Sequence, residues 1–277
     1  MRLQRFIVPA VLVGMAGCKG CDGSINLGQG PEADARLTAD VYTWECQDGD
    51  YLYEGVFGFD VALEYAPDGL QDRALPGGCV YGLSMFPGDA GGMGEDIPGL
   101  DAAPRWESGD LGGTLQREGA GFYYAEAFSN VMSCQPSEDL IEEGVTLMEA
   151  GGFSGATTPT PGYIDWVETS FEDEDGNNEL SFGETIDLEW DAEDWDEVWI
   201  QVRKEREGQN YGAVTCNVSG EDGFTVDDDV WGLFQGNVNV EVINLYVGFQ
   251  NSEVVEMDDG QKIEVVSRGM HVLVVAD

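Results

Sequence analysis

Positive charge is what this chain has least of. Twelve Lys plus Arg stand against 54 Asp plus Glu in 277 residues, and only three of the twelve are lysines: Lys19, Lys204 and Lys262. The formal net charge of −42 excludes nonspecific nucleic-acid binding, because a polyanion repels another. It also repels anionic membrane surfaces. Histidine is nearly absent. His271 is the only one, which excludes a His-rich zinc site and leaves any Ser-His-Asp or Cys-His arrangement dependent on that residue. It sits in an apolar C-terminal stretch, where packing is its expected role. No Gly-rich phosphate loop occurs, and Gly152-Phe153-Ser154-Gly155-Ala156 misses the nucleophile-elbow pattern at its last position. No segment after residue 15 approaches the ~20 apolar residues of a spanning helix. Carboxylate pairs of the glycosidase type cannot be singled out among 54 acids. No enzyme is expected.

What is present begins at the N-terminus. Arg2 and Arg5 precede an apolar stretch from Phe6 to Met15, and Met15-Ala16-Gly17-Cys18 closes it. A positive start, an apolar run of roughly 7–15 residues and small residues before a cut make a secretory signal. The last four positions resemble the lipoprotein signal of bacteria: an aliphatic residue, two small residues, then cysteine. Met15 departs from the usual Leu. The resemblance implies a signal peptide over 1–17 and a covalent lipid on Cys18, which becomes the mature N-terminus. Cys21 is a poorer candidate because Lys19 lies two residues before it. Two or three acyl chains suffice for stable anchoring where one does not. Lys19, in the position after the lipidated cysteine, implies the outer membrane by the best-known sorting rule. Removing residues 1–17 takes two arginines and no acid, leaving 54 carboxylates against ten Lys plus Arg, a net −44.

So dense a carboxylate surface reads first as solvation, since charge runs are usually solvated faces. Divalent-cation binding is the sharper alternative. Export favours disulfides. With Cys18 spent on lipid, Cys21, Cys46, Cys79 and Cys134 allow two bridges in three pairings, or one bridge within Cys46, Cys79 and Cys134. Cys216 shares a strand face with two valines in Val214-Thr215-Cys216-Asn217-Val218 and reads as a buried core thiol.

Thirty-nine glycines, 10% aromatics and few helical periods point to an all-β chain of two antiparallel β-sandwich-like domains. Residues 18–36 read as a flexible tether. A mostly-β domain over 37–156 is expected to hold strands at Leu37–Cys46, Tyr51–Tyr65 and Cys79–Phe86, and a hairpin from Trp106–Leu115 and Gly121–Phe128. A short helix, or a strand, is expected over Ser137–Glu149. Thr157-Thr158-Pro159-Thr160-Pro161-Gly162 reads as a stiff, poorly packed linker. In the second domain, 163–277, apolar residues alternate with polar ones at Ile186–Trp190 and Val198–Arg203. Strands follow at Ala213–Val218, Asn237–Phe249 and Lys262–Val275, with one or two helical turns over Asp227–Gln235. Leu188-Glu189-Trp190 followed by Val198-Trp199-Ile200-Gln201-Val202 resembles strands of fibronectin type III and other immunoglobulin-like domains. The resemblance covers about 40 residues of the chain and implies a β-sandwich with Trp190 in its core.

Oxygen ligands recur at every second position from Asp173 and end in a glutamate twelve residues along. Ca²⁺ takes about six to eight oxygens at about 2.3–2.6 Å. The run resembles an EF-hand loop, which implies Asp173, Asp175, Asn177, the Glu179 carbonyl and Glu184 as ligands of a structural Ca²⁺. Asn178 replaces the turn glycine, and the exit at Thr185–Trp190 reads as a strand rather than a helix. A solvated hairpin loop is the competing reading. Trp195 and Trp199 are candidates for a carbohydrate-stacking surface, against covering hydrophobic rims. The expected protein is therefore a lipid-anchored exported binding or structural module at the bacterial outer membrane or cell surface. It meets the membrane through its lipid and an unknown surface protein or glycan through its domains. The alternative is a surface carbohydrate-binding or carbohydrate-active protein.

Overall fold

The computed structural model describes residues 33–48, 51–67, 70, 78–82, 96–100, 102–129, 135–136, 143–160, 167–169, 183, 185–190, 195–206, 209–234 and 242–276. The fold is all-β and sandwich-like. In chain order the strands are β1 (Ala35–Asp48), β2 (Tyr51–Tyr65), β3 (Cys79–Tyr81), β4 (Arg105–Ser108), β5 (Leu111–Thr114), β6 (Gln116–Gly119), β7 (Phe122–Ser129) and β8 (Gln135–Pro136). Then come β9 (Thr146–Glu149), β10 (Val167–Thr169), β11 (Ile186–Trp190), β12 (Glu197–Arg206), β13 (Gln209–Asn217), β14 (Gly223–Val226), β15 (Val242–Glu256) and β16 (Lys262–Ala276). The one described α-helix, α1 (Asp228–Gly232), starts where Asp227 caps it. The Asp227 carboxylate accepts from the backbone N–H of Asp229 and Val230, satisfying donors the first turn leaves open. Over Ser137–Glu149, the described part carries β9 and no helix; residues 137–142 lie outside the described residues.

A ten-stranded sheet runs β3-β13-β12-β15-β16-β1-β2-β7-β6, with β8 added to β2. Its strands come from both sides of residues 157–162, so the two stretches expected to form separate sandwiches share one sheet. The central join is β1 against β16, which pair in parallel, Ala35 with Ile263 through Thr43 with His271, and β3 joins β13 at the far edge. The sheet is thus mixed rather than purely antiparallel. A tight turn makes the join reachable. Gly260 takes a left-handed φ of 84°, and its N–H and that of Met257 bond across the turn, so β15 and β16 pair along fifteen residues each. Of the residues expected as linker, Thr158 is buried, and Thr157 is exposed but bridged to Thr146. Thr158 exchanges backbone and hydroxyl bonds with Val145. A Cβ on Gly144 would stand 1.9 Å from the Thr158 carbonyl oxygen, so only glycine allows that approach.

Register puts the odd residues of β1, β15 and β16 on one face, and that face is apolar at Ala35 to Val41, at Ile243 to Phe249 and at Ile263 and Val265. At one end Leu37, Val61, Leu63, Ile263 and Val265 form a core with Trp106 and Leu147 of the three-stranded sheet β5-β4-β9. At the other, Ile200, Val202, Leu245 and Val247 form a core with Leu188, Trp190 and Val226 of the sheet β10-β11-β14, and with Trp231 of α1. Burial of these side chains, worth about 25 cal/mol per Å² of apolar surface, explains why the small sheets dock on this face. Trp190 lies in the core as its alternation implies, 4% exposed.

Cys216 is not a free core thiol. β3 pairs with β13 so that Cys79 stands directly opposite Cys216, and the two form a disulfide. Cross-strand register brings together two cysteines 137 residues apart.

Candidate functional site

The other face of the large sheet carries the unusual chemistry. Even positions of β1 present Arg36, Thr38, Asp40 and Tyr42, opposite Leu37, Ala39 and Val41. Such alternation ordinarily means one wet face. Here Arg36, Thr38 and Asp40 are 6%, 4% and 1% exposed, so charged groups lie inside and must be paired.

Parallel pairing with β16 supplies the partners. Arg268 donates from Nε and Nη2 to the two oxygens of Asp40, at 2.6 and 3.0 Å. This two-point fit of guanidinium to carboxylate is the strong form of the pair. One turn of the pleat away, Arg36 donates from Nε to Glu264, and its Nη1 lies 3.9 Å from Glu64 on β2.

Asp60 on β2 has no such arrangement. It stands in register with Asp40 on one side and with Glu126 of β7 on the other. The hydroxyls of Tyr124 and Tyr42 bond its carboxyl. Burial pushes its pKa up, the Tyr124 hydroxyl bond opposes this, and the charges of Asp40 and Glu126 raise it further, to about 7. Desolvation favours the neutral acid and a like charge adds to it. Tyr124 is raised in turn, by burial first and then by Asp60. Tyr42 is raised well above the usual phenol range by burial and by Asp40 and Asp60, with Arg268 opposing. The array therefore holds a half-buried carboxyl that titrates near neutrality between two un-ionised phenols. A carboxyl so tuned can hold or release a proton at physiological pH.

Further along the same face the character turns aromatic. Trp199, Tyr246, Met270 and Val272 pack together with Tyr42 against them. Trp199 is 0% exposed, lying over Gly248, where a Cβ would stand 2.1 Å from its ring. It presents no stacking surface to a sugar. Trp195 packs its ring 5.3 Å from that of Phe249.

A shallow groove of about 570 Å³ lies over β11 and β14, lined by Asp187, Glu189, Asn217, Glu221, Phe224 and Thr225 among others. Thr225 donates its hydroxyl to Asp187 at 2.7 Å, and Phe224 packs onto the second core. The groove holds one aromatic and three carboxylates, two of them on the outer side of one strand.

The proposed calcium ligands Asp173, Asp175, Asn177, Glu179 and Glu184 lie outside the described residues, as does Cys18. Among the described residues no group of three or more His, Cys, Asp or Glu is placed to hold a metal, and no helix is long and apolar enough to cross a membrane. His271 is buried in β16, its Nδ1 3.3 Å from the Thr43 hydroxyl. The buried array was not singled out from sequence. Its signal is a pair of complementary spacings: Arg36 and Asp40 four apart in β1, Glu264 and Arg268 four apart in β16, each pair of partners separated by 228 residues. Comparison with known protein families, curated proteins and solved structures returns no match.

Proposed function

We propose that this chain is an exported protein, anchored by a lipid on Cys18 to the bacterial outer membrane, where it serves as a binding or structural module. The run from Arg2 to Cys18 carries the reading. The Cys79–Cys216 disulfide supports it, because such bonds form and persist in oxidising compartments outside the cytosol. The acid-rich exterior supports it too, as a solvating coat. The anchor raises the local concentration of the domains for partners on the same surface. A structural Ca²⁺ at Asp173, Asp175, Asn177, Glu179 and Glu184 belongs to the same proposal, as does kinship with immunoglobulin-like domains. The facing of β11 and β12 across one core is in keeping with the latter. Glycan binding is the second reading. The groove of Phe224, Asp187, Glu189 and Glu221 favours it, in place of the buried Trp199.

Cell fractionation tests the anchor. The native chain is expected in the membrane pellet and Cys18→Ala in the soluble fraction. A variant that still pellets contradicts the reading.

A further inference from the structure

We infer that Asp60, with Tyr42 and Tyr124, is a proton-operated latch on the outer strands of the large sheet: the protonated carboxyl seats β7 on β2, and the ionised one loosens β7 and β6. The inference is independent of the anchoring proposal and rests on register.

Every strand beside Asp60 turns a defined group toward it. β1 offers Asp40 and Tyr42; β7 offers Tyr124 and Glu126. The cation in the same row among the described residues is Arg268, one strand further on, and it is bonded to both Asp40 oxygens. An ionised Asp60 therefore meets two carboxylates and two hydroxyls. A neutral Asp60 is relieved of the repulsion and still bonds both tyrosines.

The strain has one easy outlet. β1 is held on both sides, by β16 and by β2, over long ladders. β7 is shorter, and among the described residues the sheet ends beyond it in β6, four residues long. The β2–β7 ladder also shifts register between Phe59 and Asp60, so the pairing is already interrupted at the acid. Movement of β7 lets Asp60 reach water. It also uncovers Phe122 and Tyr123, which are 7% and 4% exposed, the second of them a member of the first core.

The sign follows from where the proton is held. Asp60 titrates near 7 in the folded chain and at about 3.9 when exposed. The closed state thus binds the proton more tightly, and closure weakens as pH rises from about 4 to about 7. From pH 5 to pH 8.5 the opening equilibrium is expected to grow by about a hundredfold.

Amide hydrogen exchange on the full mature chain reads this directly, with rates corrected for their intrinsic pH dependence. Protection of β6 and β7 is expected to fall by up to that factor between pH 5 and 8.5, while β15 and β16 change far less. Asp60→Asn removes the ionisation, so the dependence should disappear. Tyr124→Phe removes the hydroxyl that favours the charged form, so the midpoint should move to higher pH, which a merely structural tyrosine would not cause. Carboxyl ¹³C titration of the unmodified chain keeps the test independent of variants. An Asp60 midpoint near 4, or the same pH profile of β7 protection in the native chain and Asp60→Asn, overturns the latch.

Discussion

Replacing Cys79 and Cys216 together by alanine should remove a large part of the fold's stability. The two residues are 137 apart in sequence, so the bridge closes a long loop in the unfolded chain. Loop-closure entropy for that length comes to about 5 kcal/mol at 25 °C. Net stabilities of folded proteins are only about 5–15 kcal/mol. The bridge also pins β3, three residues long, to the edge of β13, and strands so short do not hold by their own ladder bonds. Cys216 is 1% exposed within the second core, so alanine there adds a smaller packing loss. Equilibrium urea unfolding of the mature chain, oxidised and free of reductant, measures the difference. The double variant should lose about 2–5 kcal/mol, the range found for native bridges in small exported domains. Peptide mapping without reduction should recover the segments containing Cys79 and Cys216 as one linked species. Both thiols reacting freely with an alkylating agent in the native protein, or a double variant as stable as the native chain, would refute the reasoning.

Two further expectations rest on single contacts and on the acidic loop. Arg268→Met leaves the Asp40 carboxylate buried without its cation and should cost about 3–5 kcal/mol. Asp40→Leu combined with it should recover most of that loss, and a single variant with unchanged urea midpoint contradicts the pairing. Ca²⁺ added to the mature chain in high NaCl should raise the melting temperature relative to EDTA, and Asp175→Ala should abolish the rise. Equal melting in both assigns the loop to solvation.

The strands were largely legible in the sequence because each rests on local alternation. Tyr51–Tyr65 reads as a strand and is one. Leu37–Cys46 differs from β1 only at its ends, and the acids at Asp227–Asp229 mark α1. What local pattern cannot carry is which strands become neighbours. Nothing near Ala35 announces that it will lie beside Ile263, 228 residues on. For that reason the Thr/Pro segment at 157–162 looks like a boundary, although the sheet is continuous across it. The same limit hid the disulfide. Cys216 between two valines has the look of a core thiol until register puts Cys79 opposite it. It also hid the array at Asp60. Alternation in β1 says that Arg36, Asp40 and Tyr42 share a face, not that the face is dry. Trp199 was open to two roles from sequence for the same reason, and it is Gly248 on the next strand that makes room to bury it.

The central claim is that Cys18 becomes a lipidated N-terminus, and intact mass spectrometry of the chain purified from membranes tests it most directly. The account predicts a protein that begins at Cys18, has lost residues 1–17, and carries the added mass of a diacylglycerol group. A chain that keeps residues 1–17, or one cleaved there without lipid on Cys18, would contradict it.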